Sequence, residues 1–251
     1  MTAGLTHPSP AVHLQPPAAE RARTIAARPA ASLYGLGLGI CQLWGATTTA
    51  AGDVLLVVPT EGVVTTALRA SPLGDVPARL TVTDRTSFPV PHPIRGLVLL
   101  TGWIAPVAEY DVTRLVLEFA DAQACDSLFD VGLSATLLRL DLAEVQLEEA
   151  AGTTDVEPDD FLAARPDPVS RAEDDLVAEH CQALAGLASR LRRWVGRLDH
   201  VRLLALDRFG VRFRVQSRDG CYDLRVPFPA PLDGPAGFGA AVEHLLICRP
   251  T

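Results

Sequence analysis

The sequence predicts an α+β protein built from two domains, and three features carry that expectation. Before residue 150 the apolar residues fall in continuous or alternating runs, as strands require. Residues 151–169 hold Pro158, Pro166, Pro168 and an acid run without any period, which marks a linker. From residue 170 onward a long helical pattern precedes three strand patterns and a closing helix. The length, 251 residues, suits two domains of about 100–150 residues each.

In chain order, residues 1–17 carry four prolines and no periodicity and are expected to form a flexible leader. AAERARTIAA (18–27) reads as a helix that stops before Pro29. CQLWGATTTA (41–50) and DVLLVVP (53–59) read as a hairpin, the second strand being apolar at successive positions and so buried on both faces. TEGVVTTALRA (60–70) reads as a helix capped by Thr60. ARLTVTDR (78–85) and RGLVLLTGWIAPV (95–107) are strand-like, with the proline-rich loop FPVPHP between them. DVTRLVLEFADA (111–122) is helical with Asp111 as its cap, and SATLLRLDLAEVQLEE (134–149) alternates with period two.

In the second domain Ser170 to Leu198 reads as one helix. Ser170 and Glu173 have capping-box spacing, and Leu176, His180, Leu184, Leu187, Leu191 and Trp194 form its apolar stripe. VRLLALDRFG, VRFRVQSRDG and CYDLRVPF form a three-strand meander turning at Gly210 and Gly220. DGPAGFGAAVEHLLIC (233–248) closes the chain as a helix capped by Asp233. This domain is thus an α-β-β-β-α module.

Composition excludes several function classes. Hydrophobic residues make up 48% and charged residues 21%, as in a folded protein. All 22 basic residues are Arg, so Schiff-base catalysis and the phosphate-loop lysine are ruled out. The formal net charge is −8, spread over both halves, and it supplies no counterion-release drive toward nucleic acid or an anionic membrane. The five cysteines, Cys41, Cys125, Cys181, Cys221 and Cys248, lie far apart without C-x-x-C spacing and are expected to be reduced core thiols. No signal peptide and no membrane-length apolar run is present, so a cytoplasmic protein is expected.

The block CYDLRVPFPAPLDGPAGFGAAVEHLLICR, preceded by LALDRFGVRFRV, resembles the C-terminal module of heme-utilisation (HugZ-type) proteins, the DRI module or domain related to iron. An Asp-x-x-Gly turn and an Arg-Val-Pro-Phe strand carry the resemblance, here Asp207, Gly210, Arg225, Val226, Pro227 and Phe228. Upstream, ERARTIAA and the order of strands resemble the FMN-binding-like split β-barrel of pyridoxamine-phosphate-oxidase-like proteins. GLVLLTGWIAPV followed by ATLLRLDLAEVQL looks like the actinobacterial branch. The resemblance implies a split β-barrel domain over 18–150, a linker over 151–169, a DRI-like domain over 170–251, and a homodimer with its ligand cleft between protomers. Heme-utilising members carry a His-Met-Asn-x-x-His stretch; here the region is AEHCQAL and retains His180 alone.

Candidate site residues follow. His180, on an apolar stripe, is a candidate axial ligand to heme iron, with Arg190 and Arg193 of the patch Arg190, Arg192, Arg193 and Arg197 as partners for the propionates. The ordinary reading of each is a packed histidine and solvated helix charge. His92, His200 and His244 are weaker candidates. Arg69, Ser71 and Arg79, with Thr81, form the one cluster that resembles a flavin phosphate site; a solvated turn explains it equally well. No catalytic constellation is legible. The resulting expectation is a heme-binding or heme/iron-homeostasis protein. Its alternatives are a flavin- or deazaflavin-dependent oxidoreductase and a cofactor-free regulatory module that binds a protein partner.

Overall fold

The computed structural model describes residues 15–196, 199–218 and 220–247. Most of the expected leader lies outside them, as do His7, His13, Arg197, Leu198 and Cys248. The chain divides into two units, Pro17–Asp167 and the part from Pro168 onward.

The first unit is a single antiparallel sheet curled into a half-barrel, a split-barrel α+β fold. Helix α1 (Ala18–Ala26) leads into β1 (Ala31–Gly35), β2 (Gly39–Cys41), β3 (Gly45–Thr48) and β4 (Val54–Pro59). After helix α2 (Val63–Ala70) come the long strands β5 (Val76–Arg85) and β6 (Ile94–Pro106), helix α3 (Glu109–Ala122) and β7 (Ala135–Glu149). Strand β8 (Gly152–Val156) and helix α4 (Pro158–Ala163) complete the unit. The strand order is β2-β1-β5-β6-β7-β4-β3, with β8 added to β7.

Period-two patterning decides which face is inside. Leu80 and Val82 of β5, Val98 and Leu100 of β6 and Leu138 and Leu140 of β7 point into the curl, where Ala22, Ile25 and Ala26 of α1 fill it. The run Val54–Val58 is buried throughout: Val54, Leu56 and Val58 join that core, whereas Leu55 and Val57 face Leu115 and Phe119 of α3. Register shifts at Thr101/Gly102 and Asp84/Arg85 bend the long strands. At Gly102 the backbones approach so closely that a Cβ would lie 1.9 Å from the Asp141 carbonyl oxygen.

Several expectations are corrected here. The hairpin of β1 and β2 was not foreseen, because its strands are too short for a periodic signal and turn through Gly37 and Gly39 at positive φ. Residues 151–169 are not a structureless linker. Gly152 at φ +126 turns β7 into β8, and Val156 and Phe161 are buried in the barrel core. Arg23, fully buried, donates from Nε to the Ala164 carbonyl (3.1 Å) and from Nη2 to the Thr49 carbonyl (3.0 Å), and lies over the Phe161 ring. Burial, with Arg165 nearby, pulls its pKa below the usual arginine value.

Caps differ too. Gly62 precedes α2, and its amide donates to Thr65 Oγ1 (3.0 Å), whereas the Thr60 hydroxyl pairs with that of Thr136 (3.0 Å). Helix α3 starts at Glu109, and Asp111 pairs with Arg114 instead of capping (3.0 Å).

The second unit contains α5 (Pro168–Arg171), α6 (Glu173–Leu191), the meander of β9 (His200–Asp207), β10 (Gly210–Ser217) and β11 (Gly220–Pro227), and α7 (Phe238–Ile247). Phe213, Val211 and Val215 of β10 meet Leu184, Leu187 and Phe238 in its core. Instead of one helix over 170–198, the chain breaks between Arg171 and Glu173 and ends α6 at Leu191, which leaves Trp194 70% exposed. Glu173 is buried, and its Oε1 accepts the Leu206 amide of β9 at 2.7 Å. A 3₁₀ turn, Pro235–Gly237, separates Asp233 from α7.

Cys41 is buried and Cys125 half-buried. Cys181 and Cys221 are exposed, against the expectation of core thiols. Among the described residues no helix is long and apolar enough to cross a membrane.

Candidate functional site

His180 does not continue a regular stripe. Helix α6 kinks there (φ −110, ψ 21), which turns the imidazole toward the start of α7. Its ring tilts against Phe238 with centroids 5.4 Å apart, and a Cβ on Gly239 would come within 2.8 Å of Cε1. Glycine at 239 is therefore what lets α7 meet the ring edge-on. Nε2, which would lie 3.4 Å from that same Cβ, is also 3.8 Å from a Glu179 carboxylate oxygen, with the imidazole 23% and Glu179 72% exposed.

Arg190 lies ten residues further along α6, a rise of about 15 Å in a regular helix. Its Nη1 donates to the carbonyls of Leu245 (3.0 Å) and Leu246 (2.7 Å), closing the last turn of α7. Arg193 is exposed beyond the end of α6. His180 and the two arginines thus share one helix pair without converging on one point.

The second candidate cluster is dispersed. Arg69, in the last turn of α2, donates from Nη2 to the Thr60 carbonyl at 2.7 Å. Ser71 ends that helix. Arg79 stands on the outer face of β5 opposite Tyr34 of β1, with Nε 3.3 Å from Thr101 Oγ1. No phosphate-sized point is shared by the three.

Two features went unread in the sequence. One is a groove of about 800 Å³ between the β1–β2 hairpin and α2, with Leu38, Ile40, Val58 and Val63 along it and Glu61 and Arg69 on its rim. Its only sequence trace is the glycine-rich LYGLGLG. The other is the part played by the Asp-x-x-Gly and Arg-Val-Pro-Phe residues. Asp207 accepts the Phe209 amide (2.9 Å) and Arg225 Nη1 (2.8 Å), and the Phe228 amide donates to the Phe209 carbonyl (2.9 Å). These residues clasp the meander together; none of the three bonds is aimed at a ligand.

Among known proteins, no family model matches the chain, and no curated protein does. Solved structures do. A heme binding protein from Mycobacterium smegmatis is 22% identical, with 93% of this chain and 98% of that one covered, at a TM-score of 0.60. A protein of unknown function from Agrobacterium tumefaciens str. C58 is 18% identical over 95% and 99%, at 0.44. The first likeness establishes the class, an α+β protein of the split-barrel type.

Proposed function

We propose that this chain binds heme, and that it is a HugZ-type protein of the actinobacterial branch with a DRI module, acting in heme or iron homeostasis as a homodimer. The observation that carries the reading is the fold shared, over 93% of the chain, with a protein described as heme binding. His180 supports it. Its partly exposed imidazole is of the type that serves as an axial ligand, and Phe238 provides an apolar wall beside the ring. Arg193 is the better partner for a propionate, since Arg190 is engaged by two carbonyls of α7. Heme would supply the iron chemistry; this chain contributes ligation, an apolar wall and charge.

Hemin titration of the purified protein tests this by absorption. A saturable Soret shift, weakened at least about tenfold in His180→Ala, is expected. Adsorption without saturation overturns heme binding. Saturation unchanged in the variant overturns His180 as ligand.

The dimer draws support from apolar exposure on the outer face of the half-barrel, where Tyr34 is 50% and Trp103 48% exposed.

A further inference from the structure

We propose that the free edge of the meander is a self-association site, where β11 pairs antiparallel with β11 of a second copy about an axis through Leu224. Strand β11 lies at the end of the order β11-β10-β9, and among the described residues only β10 pairs with it. Its first four residues, Gly220 to Asp223, are exposed. One bond tells which backbone groups point outward. The Phe228 amide donates toward the β10 side, to the Phe209 carbonyl (2.9 Å), and direction alternates along a strand, so the amides and carbonyls of Cys221, Asp223 and Arg225 face away from β10. Pro227 shares their parity: opposite Gly210, it sits where no N–H is owed to β10. Such an edge accepts another strand.

Charge selects the occupant and the register. When two copies of one strand pair about a two-fold axis, outward-facing residues meet outward-facing residues, so the axis passes through a residue. At Asp223 it would set carboxylate against carboxylate, and at Arg225 guanidinium against guanidinium; like charges directly opposite are destabilising. At Leu224 it sets Asp223 of each copy against Arg225 of the other. These two exchange both backbone bonds, and the Cys221 amide donates to the Pro227 carbonyl. The other face matches as well. Leu224 and Val226 pack on the second core, and Tyr222, opposite Val215 of β10, is 47% exposed. Across the joint Tyr222 meets Val226 and Leu224 meets its own counterpart, which continues the apolar layer. Within each copy Arg214 holds Asp223 and Asp207 holds Arg225, so both charges are already set in place. A strand of eight residues buries less than the roughly 1,000 Å² of a lasting interface, so the pairing is transient.

Disulfide trapping in the full chain is the test, with the exposed Cys181 and Cys221 both replaced by Ser. In the Leu224-centred register the two Leu224 Cα atoms stand about 4.5 Å apart, within disulfide reach, whereas the two Tyr222 positions are displaced by roughly 13 Å along the strands. Under oxidised glutathione Leu224→Cys is expected to form a covalent dimer at least about tenfold faster than Tyr222→Cys, and circular dichroism checks both folds. In the unaltered protein, amide exchange at Asp223 and Arg225 is expected to slow as the protein is concentrated. Equal trapping of the two variants, or exchange at those amides independent of concentration, overturns the proposal; the edge is then kept single by its charges or taken by a strand of another protein. Neither readout involves heme.

Discussion

Arg225 of β11 reaches over β10 to the carboxylate of Asp207 at the end of β9, both guanidinium Nη atoms meeting its two oxygens. Gly210 pairs with Asp207 on one side and with Pro227, two residues from Arg225, on the other, and a Cβ there would lie 2.3 Å from the Val226 carbonyl oxygen. The Asp-x-x-Gly turn and the Arg-Val-Pro-Phe strand are thus one mechanical unit. Asp207 stops β9, Gly210 starts β10, and Arg225 holds the first to the third strand.

Removing that clasp has a defined cost. Asp207→Ala leaves a largely buried guanidinium without its carboxylate and is expected to destabilise the protein by about 3 kcal/mol. Arg225→Lys, which keeps the charge but not the two-pronged contact, is expected to lose roughly half as much. Urea denaturation followed by tryptophan fluorescence measures both. A loss under about 0.5 kcal/mol for Asp207→Ala would mean that the clasp is solvent-compensated.

The barrel has its own tight point at Gly102. Since an added Cβ would collide with the Asp141 backbone oxygen, Gly102→Ala is expected to cost at least about 3 kcal/mol or to prevent folding. Gly234→Ala is the control: nothing lies within 4 Å of its Cβ position, and its melting temperature should shift little. Equal melting temperatures for the two variants would contradict the close approach of β6 and β7.

At Glu173 the Oε1 oxygen accepts the buried Leu206 amide, a bond that needs an acceptor there. Glu173→Gln retains an acceptor and is expected to stay within about 1 kcal/mol of the parent, whereas Glu173→Ala orphans the Leu206 amide at a cost of about 2–3 kcal/mol. Amide hydrogen exchange at Leu206 reports the site directly. Protection that survives Glu173→Ala would refute the bond.

Self-association is checked by light scattering after gel filtration. The expected mass is that of a dimer, falling to a monomer in Trp103→Glu, which places a charge on the outer sheet face at a side chain 48% exposed. A monomeric parent protein, or a variant dimer as tight as the parent, removes that face from the interface.

Much of the fold was legible because its signals are local. Val54–Val58 is apolar at every position and is buried at every position, since β4 packs against both the curl and α3. Val211, Phe213 and Val215 alternate with Arg212 and Arg214, and the first three do face the second core. Features whose cause lies elsewhere in the chain were not legible. Glu173 has the spacing of a capping residue, and nothing in that spacing shows that its carboxylate also accepts an amide 33 residues away. Residues 151–169 lack a period, yet Phe161 is buried beneath Arg23, 138 positions earlier in the chain.

The candidate site divides in the same way. The choice of His180 as a candidate ligand rests on residue type and helical spacing; the kink of α6 and the Phe238 and Gly239 of α7 that orient it do not show in that spacing. Arg69, Ser71 and Arg79 look like a cluster because they are close in the chain; in the fold Arg69 is in α2, Ser71 ends that helix and Arg79 is on β5.

By itself the sequence determined the α+β class, the strand faces, the meander and the absence of lysine chemistry, because periodicity and residue count are properties of the chain alone. Tertiary structure decided where helices stop, which arginines are already engaged, and that a groove lies beside α2. Those outcomes depend on hydrogen bonds and close approaches between residues far apart in sequence, and such pairings exist only once the backbone has folded.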